Sequence, residues 1–564
     1  MNRITVYLLA ALAGVGSALP ARAQDVASLA VTPVVIAPAQ SDLGRTIKSA
    51  LAQAYYGAPK ASLAYREAQK LYFFYGARHF EPIWLTEGPD GAVAYSAAAQ
   101  KIMKLFGAAA SEGLRPSDYL TPALDVNSVG SDPAKMAALE TAFSAATMRY
   151  ATHIYTGRIE PLSIDPNLDI QPKQLDQSAL MLELASSDDP AAVLAKLEPT
   201  HPEFLALKAK LASFDAAPAD RPITIANGKT LKPGMSDPRV PTLRQRLELP
   251  AMDGLVYDEA LVTAIKTFQL GAGLEDDGVL GPATLTALNG GVPVTREDIL
   301  ANMERWRWMP RDLGQFNVFV NIPEYRLTIN RDGAETYATR VVVGSTKNQT
   351  PIFSDNIRHI VVNPYWNVPS SIIKNEIAPK TRNNPGYIAS QNMELIYQGN
   401  VVSAYQVNWA AVGDTFPFRV RQKPGPGNSL GQIKFLFPNK HDVYLHDTPS
   451  KSLFNRAFRA ASHGCVRVQN PMEFAAALTA NETNIDRASL EAMFGPSERW
   501  VNPERQVPVH LAYFTVRVGA DGELRSYADV YGHNAKLIKA MGLGDAAPVP
   551  IIAEAAPADT ALSP

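Results

Sequence analysis

The spacing of apolar residues predicts that the first third of the chain is helical. Residues 61–75 place apolar side chains close to a period of about 3.6 residues, and residues 138–155 repeat this pattern. Prolines punctuate these segments at intervals that suit connections between helices. We therefore expect residues 41–220 to form a helical scaffold domain.

The pattern changes to strands from Asn317 onward. Segments 318–330, 337–345 and 359–369 are rich in Val, Ile, Tyr and Phe and are separated by Asn, Gly, Pro and Asp. Residues 443–447 (VYLHD) continue the series. These features predict a mainly-β domain at 315–485, followed by a C-terminal extension at 486–541. Within that extension, residues 507–534 read as one further β-hairpin, with Asp521-Gly522 at its turn.

A long insertion interrupts the β-rich part at about 369–426. The segment is polar and contains several Pro and Gly residues. Insertions of this length in a compact β domain are usually binding loops or lids. We expect it to act as a lid.

Residues 229–290 form a compact unit between the two parts. The unit contains Phe268-Gln269, followed by Asp277-Gly278 and Gly281 after a two-residue gap. These elements resemble the small three-helix peptidoglycan-binding module of bacterial cell-wall enzymes. The resemblance implies binding to the cell wall and leaves open whether the ligand is glycan or peptide.

The sequence at the start of the chain predicts a segment that is removed, and the sequence at its end predicts disorder. A basic start, an apolar run and an Ala-x-Ala end at Ala21–Ala23 indicate a secretory signal peptide over residues 1–23. The apolar run is shorter than the ~20 residues of a spanning helix. An uncleaved anchor remains the alternative. Residues 24–40 read as a linker and 546–564 as a disordered tail, so we expect a protein of the Gram-negative periplasm with no stable membrane span after cleavage.

Composition excludes some partners. Lys and Arg number 53 against 55 Asp and Glu, so no basic field favours nucleic acid. The 46% of hydrophobic residues is ordinary for a globular protein. With a single cysteine, the chain cannot form an intramolecular disulfide, and it lacks the second thiolate that most zinc sites use. Reactivity is therefore the best explanation for this thiol.

That cysteine, Cys465, lies in the run Ser462-His463-Gly464-Cys465-Val466-Arg467-Val468, downstream of His446. An imidazole can accept the thiol proton and hold the thiolate as half of an ion pair. His446 and His463 both remain candidate bases. The Gly464 and Cys465 N–H groups are candidate oxyanion donors, because glycine allows a carbonyl to approach closely.

Three further residues have both a site role and a structural alternative. Tyr444 shares a strand face with His446 and offers a hydroxyl donor, or it is a core tyrosine. Arg467 offers a fork for a carboxylate on the substrate, or for a structural aspartate. Trp366 either lines the cleft or is buried in the β core.

His446-Asp447-Thr448 together with SHGCVRV at 462–468 resembles the catalytic motif of the L,D-transpeptidases. Over roughly residues 45–535 the chain resembles their large multidomain periplasmic kind, and the N-terminal part does so mainly in its helical character. The resemblance implies a multidomain α+β fold with a helical N-terminal scaffold, a three-helix peptidoglycan-binding module and a mainly-β catalytic domain with an inserted lid. It assigns the nucleophile to Cys465 and the base to His446. The other histidine would orient the base or contact substrate.

The same resemblance implies 3-3 cross-linking of peptidoglycan through a cysteine thioester, with release of D-alanine. The partners would be a donor tetrapeptide and an acceptor stem, carbapenems would acylate Cys465, and no cofactor or metal would be needed. Several alternatives stay open: an L,D-carboxypeptidase or endopeptidase, a ligase that anchors protein to peptidoglycan, a wall-binding scaffold without activity, and a metal site on His446, His463 and Cys465.

Overall fold

The computed structural model describes residues 35–544 except 89–91, 217–224, 227, 272–273, 275, 290–293, 410, 413–415, 481 and 484. The expected signal peptide (1–23), most of the linker (24–40) and the tail (546–564) lie outside the described residues. The chain divides into two compact units. One contains residues up to Arg158 with Lys173–Thr200, and the other contains Ile159–Pro172 with all residues from His201 onward.

The first part of the chain is helical, as its periodicity predicts. Its helices are α1 (Asp42–Gly57), α2 (Leu63–Gly76), α3 (Ala97–Gly107), α4 (Pro133–Thr156), α5 (Pro161–Ile164), α6 (Gln177–Ser186), α7 (Pro190–Ala195) and α8 (Pro202–Ala216). Two short strands, β1 (Leu85–Glu87) and β2 (Val93–Tyr95), pair antiparallel. Ser41, Ser62 and Ser96 cap the first three helices by accepting backbone N–H groups.

Helices α5 and α8 belong to the second unit, although the sequence placed them in the scaffold domain. Phe204, Leu207 and Leu211 recur on one side of α8 and are fully buried in the hydrophobic core of the β-rich part. Leu168, just after α5, lies in the same core. The expectation that residues 41–220 are helical includes α5 and α8, but it does not reveal which neighbour buries their apolar side.

The small module contains three helices, α9 (Val240–Arg246), α10 (Glu259–Gly271) and α11 (Pro282–Leu288). The contacts of the Gln269 side chain explain why the sequence elements Phe268-Gln269 and Asp277-Gly278 occur together. Its amide nitrogen donates to Asp277 Oδ1 over 2.8 Å, and its amide oxygen accepts the Gly278 N–H over 2.9 Å. Gly278 has a φ of +72°, which glycine adopts without strain. Phe268 is only partly buried at the edge of this module's core.

The remaining strands build the β-rich part. They are β3 (Phe316–Asn321), β4 (Arg326–Arg331), β5 (Ala334–Gly344), β6 (Phe353–Ile357), β7 (His359–Val362), β8 (Trp366–Asn367), β9 (Met393–Tyr397), β10 (Asn400–Val402), β11 (Arg419–Gln422), β12 (Ile433–Leu436), β13 (Leu445–His446), β14 (Ala460–Ser462), β15 (Val466–Val468), β16 (Arg499–Val501), β17 (Val507–Ala512), β18 (Val516–Val518) and β19 (Leu524–Ser526).

The helices of this part are α12 (Arg296–Trp308), α13 (Ser370–Ile372), α14 (Ala378–Asn383), α15 (Gly386–Ser390), α16 (Pro471–Leu478), α17 (Arg487–Glu491) and α18 (His533–Ala540). A π-helical turn, Ile373–Ile377, joins α13 to α14. Helix α12 begins with a capping box between Thr295 and Asp298. Its residues from Ile299 to Trp308 are buried, so it forms part of the core.

One large sheet carries the strands in the order β16-β7-β12-β13-β15-β5-β4-β3-β17-β6, with β14 paired to β5. Strand β17, from the C-terminal extension, lies between β3 and β6 and runs parallel to β3. The prediction of one β-hairpin over residues 507–534 is therefore only partly correct. β18 and β19 form a hairpin around Asp521-Gly522, whereas β17 completes the main sheet.

The insertion folds around a hydrophobic core of its own. Its four-stranded sheet has the order β10-β9-β11-β8. Apolar side chains from its helices and strands, such as Ile377, Ile388 and Leu395, are buried together. Within the part of the chain that the structure describes, no helix is long and apolar enough to cross a bilayer.

Candidate active site

Two short neighbouring strands and the residue before each place four of the predicted site residues on one face of the large sheet. β13 and β15 pair in parallel, with Leu445 opposite Val466 and His446 opposite Arg467. Because side chains alternate between faces along a strand, Leu445 and Val466 enter the core, where both are fully buried. The other face carries four residues: Tyr444, His446, Cys465 and Arg467.

Hydrogen bonding fixes the tautomer of His446. This residue is 4% exposed, and its Nδ1–H donates to the backbone carbonyl of Asp447. Nε2 is therefore the ring nitrogen with a lone pair available for a proton. Burial lowers the pKa of His446 to about 3, with a further contribution from the charge of Arg467. The imidazole is therefore neutral at physiological pH and can act as a base.

The thiol of Cys465 is also neutral at rest. Cys465 is partly exposed at the surface of the site, and its Sγ lies 3.8 Å from the carbonyl oxygen of Asp442. Burial of the sulfur raises the pKa of Cys465 to about 11. The structure therefore favours a neutral thiol and a neutral imidazole on the same face of the sheet. An ion pair between them forms only when the proton moves.

Tyr444 and His446 pack edge to face, with ring centroids 5.7 Å apart. Burial, followed by the nearby Cys465, raises the pKa of Tyr444 well above its usual value, so its hydroxyl keeps its proton. A protonated phenol next to the thiol is a hydrogen-bond donor for negative charge that develops there.

His463 lies in a different environment. Its side chain is 50% exposed, and its Nε2 lies 3.0 Å from Oε1 of Glu376. Glu376 belongs to the π-helical turn of the insertion. The structure thus places one candidate base, His446, inside the site and the other in contact with the insertion.

Ser462 shapes the loop that presents the cysteine. Its Oγ donates to the Cys465 carbonyl over 2.5 Å and accepts the Gly464 N–H over 3.1 Å. Gly464 has a φ of +116°, a backbone conformation that favours glycine. One of the two expected oxyanion donors, the Gly464 N–H, is therefore already engaged within the loop.

A lysine that the sequence did not single out lies on the same face. Lys434 on β12 lies directly opposite His446 on β13, and Lys434 is 8% exposed. Its Nζ lies 3.4 Å from the Tyr365 carbonyl and 3.9 Å from Oε1 of Glu498. Burial lowers the pKa of Lys434. Arg467 and Lys434 thus flank His446 on adjacent strands.

Trp366 is partly buried on β8, which pairs with β11 of the insertion. Its ring packs against the hydrophobic core of the insertion. The structure therefore places it at the base of the insertion, a location that neither sequence alternative named.

Two buried residues that lie beside the site, Lys434 and Thr350, were not identified from the sequence, for different reasons. The strand period around 433–436 gives a signal for Lys434, because a lysine between buried apolar neighbours is unusual. The sequence gives no such signal for Thr350, because a threonine in a loop is common. In the structure it is fully buried, and its hydroxyl donates to the Gly464 carbonyl over 2.7 Å.

Family models match three segments of the chain. Residues 69–211 match "Scaffold domain", residues 237–288 match "Putative peptidoglycan binding domain" and residues 315–486 match "L,D-transpeptidase catalytic domain". The last match contains His446, the Cys465 loop and the insertion.

A curated relative from Haemophilus influenzae, named "Putative L,D-transpeptidase", is 34% identical over 266 residues. The alignment covers 45% of this chain and 52% of the relative, so the match spans about half of that protein's length.

Solved L,D-transpeptidases are more distant. The enzyme from Xylanimonas cellulosilytica is 17% identical, with 51% of this chain and 98% of that chain covered and a TM-score of 0.17. The enzyme from Stackebrandtia nassauensis is 13% identical, with 51% and 95% covered and a TM-score of 0.20. Scores this low carry no structural argument. The match to the catalytic-domain model nevertheless agrees with the resemblance seen in the motif: residues 315–486 match the L,D-transpeptidase catalytic domain, and two earlier segments match a scaffold domain and a putative peptidoglycan-binding domain.

Proposed function

We propose that this protein is a peptidoglycan L,D-transpeptidase that forms 3-3 cross-links through a thioester on Cys465. The observation that carries the proposal is the shared sheet face of Cys465 and His446, with the Nε2 of His446 left as the proton acceptor. Nucleophilic catalysis by cysteine needs a base of this kind next to the thiol.

In the acylation step, the Sγ of Cys465 attacks the carbonyl of the third residue of a donor stem. The thiol proton passes to Nε2 of His446 as the S–C bond forms. The C–N bond to D-alanine then breaks, and His446 returns the proton to the leaving amine. The products are a thioester on Cys465 and free D-alanine.

In the second step, the side-chain amine of an acceptor stem attacks the thioester carbonyl. His446 accepts a proton from that amine, the C–S bond breaks, and the thiol recovers the proton. The new amide joins two third-position residues. Water as the acceptor would instead give a tripeptide, which is the L,D-carboxypeptidase outcome.

The remaining residues of the face have supporting roles in this proposal. The Cys465 N–H and the Tyr444 hydroxyl donate to the oxyanion of the tetrahedral intermediate. Arg467 binds a carboxylate of the stem, a geometry that a guanidinium suits. His463 contacts the insertion through Glu376 and is not the base.

The insertion serves as the lid of this site. Its turn at Ile373–Ile377 reaches the residue next to Gly464 through the contact between Glu376 and His463. Covering the thioester would exclude water and so favour an amine acceptor over hydrolysis.

The cellular setting is part of the same proposal. The peptidoglycan-binding domain supports a role in the cell envelope. Residues 1–23 would direct export to the periplasm and then be removed. By family resemblance, carbapenems would acylate Cys465.

The test is incubation of the mature chain with a disaccharide tetrapeptide, with products separated by chromatography and identified by mass spectrometry. We expect a cross-linked dimer and free D-alanine from the native chain, and neither product from Cys465→Ala. Tripeptide without dimer would instead indicate a carboxypeptidase. The absence of any product would contradict the proposed activity for the isolated chain.

A further inference from the structure

The Gly464 carbonyl is held by a hydrogen bond whose direction is fixed. The Thr350 hydroxyl accepts the N–H of Gly344 over 2.8 Å, so its own hydrogen is directed to the Gly464 carbonyl, 2.7 Å away. Thr350 is fully buried, so water does not compete for this bond. The Gly464 carbonyl thus points away from the site, into the protein.

This contact determines where the Cys465 N–H points. The Gly464 carbonyl and the Cys465 N–H belong to the same peptide unit, which is planar and trans. In such a unit the C=O and N–H bonds point in opposite directions. Since Thr350 holds the carbonyl inward, the N–H of Cys465 points the opposite way, away from Thr350.

The peptide needs this restraint because glycine does not supply it. Gly464 has a φ of +116°, and glycine can occupy several backbone conformations at little cost. The Ser462 hydroxyl holds the Gly464 N–H and the Cys465 carbonyl on either side of this peptide. The hydrogen bond from Thr350 holds the Gly464 carbonyl itself and so opposes rotation of the peptide.

Thr350 is itself positioned from the C-terminal extension. The hydroxyl of Tyr531 donates to the Gly344 carbonyl over 2.6 Å and accepts the Thr350 N–H over 3.2 Å. The N–H of Tyr531 donates to the Tyr513 hydroxyl over 2.7 Å, and that hydroxyl donates to Asp529 over 2.7 Å. All four of these side chains are buried.

Tyr531 lies beyond residue 486, where the match to the catalytic-domain family ends. We propose that Thr350 and Tyr531 are positioning residues that lock the Gly464–Cys465 peptide with its N–H directed at the oxyanion. The C-terminal extension is then part of the acyl-transfer machinery. This inference rests on the proposed function, because it concerns the acylation step.

The test compares two reactions of the same thiol in the full mature chain. Acylation by a p-nitrophenyl ester forms the S–C bond, releases p-nitrophenolate and passes through an oxyanion. Alkylation by iodoacetamide forms an S–C bond, releases iodide and has no oxyanion. Loss of one oxyanion donor slows acyl transfer by about 10²–10³-fold. We therefore expect Thr350→Val to slow acylation by up to about 10²-fold while alkylation stays unchanged.

Three further variants complete the design. Thr350→Ser keeps the hydroxyl and should retain acylation. Tyr531→Phe removes only the hydroxyl and should slow acylation less than Thr350→Val, again without affecting alkylation. Tyr527→Phe is the matched control, since that tyrosine is in the same extension but its hydroxyl interacts with Glu324. Should Thr350→Val fail to fold, Tyr531→Phe decides the question.

Native acylation rates in both Thr350→Val and Tyr531→Phe would overturn the inference, and so would equal losses in acylation and alkylation. A native chain that the ester does not acylate would overturn it as well. Because the ester needs no recognition of a stem peptide, failure with the tetrapeptide but success with the ester would count against the proposed substrate and leave this inference standing.

Discussion

At the scale of single residues, the site combines a thiol that holds its proton, Cys465, with an imidazole that does not readily accept one, His446. Burial raises the pKa of Cys465 to about 11 and lowers the pKa of His446 to about 3. Both shifts disfavour the charged pair in the free enzyme. In the proposed mechanism, the proton is therefore transferred during the attack on substrate, when the Cys465 N–H and the nearby cations can stabilise the new negative charge.

Alkylation of the thiol as a function of pH tests this resting state. Only the thiolate reacts rapidly, so its fraction controls the rate. With a pKa of about 11, the rate of reaction between Cys465 and iodoacetamide should keep rising as the pH increases through the alkaline range. A plateau that begins at or below neutral pH would show a resting ion pair and contradict this reading.

A pair of histidine variants tests the choice of base. His446→Gln removes the proton acceptor, and general-base catalysis contributes about 10²–10⁴-fold. We expect a loss of that order in the rate of Cys465 acylation by the tetrapeptide. His463→Gln should cause a much smaller loss, because an amide can still donate a hydrogen bond to Glu376. The opposite ranking would identify His463 as the base.

At the scale of elements, the insertion behaves as a small folded body rather than a loop. Its four-stranded sheet packs around a hydrophobic core of its own, separate from the core of the large sheet. Its contact with the cysteine loop is partly exposed, with the Glu376 side chain 37% and His463 50% exposed. Exposed pairs of this kind contribute ~0.2–1 kcal/mol, a strength that is consistent with the lid role we propose.

Hydrogen exchange measures that contact. Glu376→Gln should increase amide exchange in the segment from Ser370 to Asn383 by about 1.4- to 5-fold, the factor that corresponds to a loss of ~0.2–1 kcal/mol. Glu473→Gln is the matched control, because Glu473 is also exposed and forms a surface ion pair with Arg487 away from the insertion. Equal exchange in the native chain and Glu376→Gln would show that this contact does not hold the insertion.

At the scale of the whole molecule, the catalytic-domain match at 315–486 is smaller than the structure that supports the site. The extension beyond it supplies β17 to the main sheet, between β3 and β6. Val509, Leu511 and Leu537 from this extension are buried in the same core as Leu445 and Val466. Burial of one such side chain contributes about 1.5–3 kcal/mol, so the extension is a substantial part of the domain's stability.

Truncation tests this dependence. A chain that ends at Asp486 loses α17, α18 and β16 to β19. The apolar burial lost with Val509, Leu511 and Leu537 alone is comparable to the total stability of about 5–15 kcal/mol that is typical of domains. We expect this chain to show no cooperative thermal unfolding of the β-rich part. A chain that ends at Gly544 should unfold at the same temperature as the native protein. Cooperative thermal unfolding of the β-rich part in the chain that ends at Asp486 would contradict the claim that this part depends on the extension.

The sequence predicted the elements and the main site residues because their signals are local. Helical spacing in 61–75, strand alternation around 443–447 and the SHGCVRV run each depend on near neighbours. The position of β17, the alignment of Lys434 with His446 and the contact from Thr350 to Gly464 depend on residues far apart in the chain. No local pattern contains such pairings, so these features could be found only in three dimensions.

The most direct measurement of the central claim is intact-protein mass spectrometry of the mature chain mixed with a donor tetrapeptide and quenched at short times. We predict an acyl adduct that lacks the mass of D-alanine and maps to the peptide containing Cys465. The adduct should be absent in Cys465→Ala and slow to form in His446→Gln. An adduct on any other residue, or product formation by Cys465→Ala, would contradict the account.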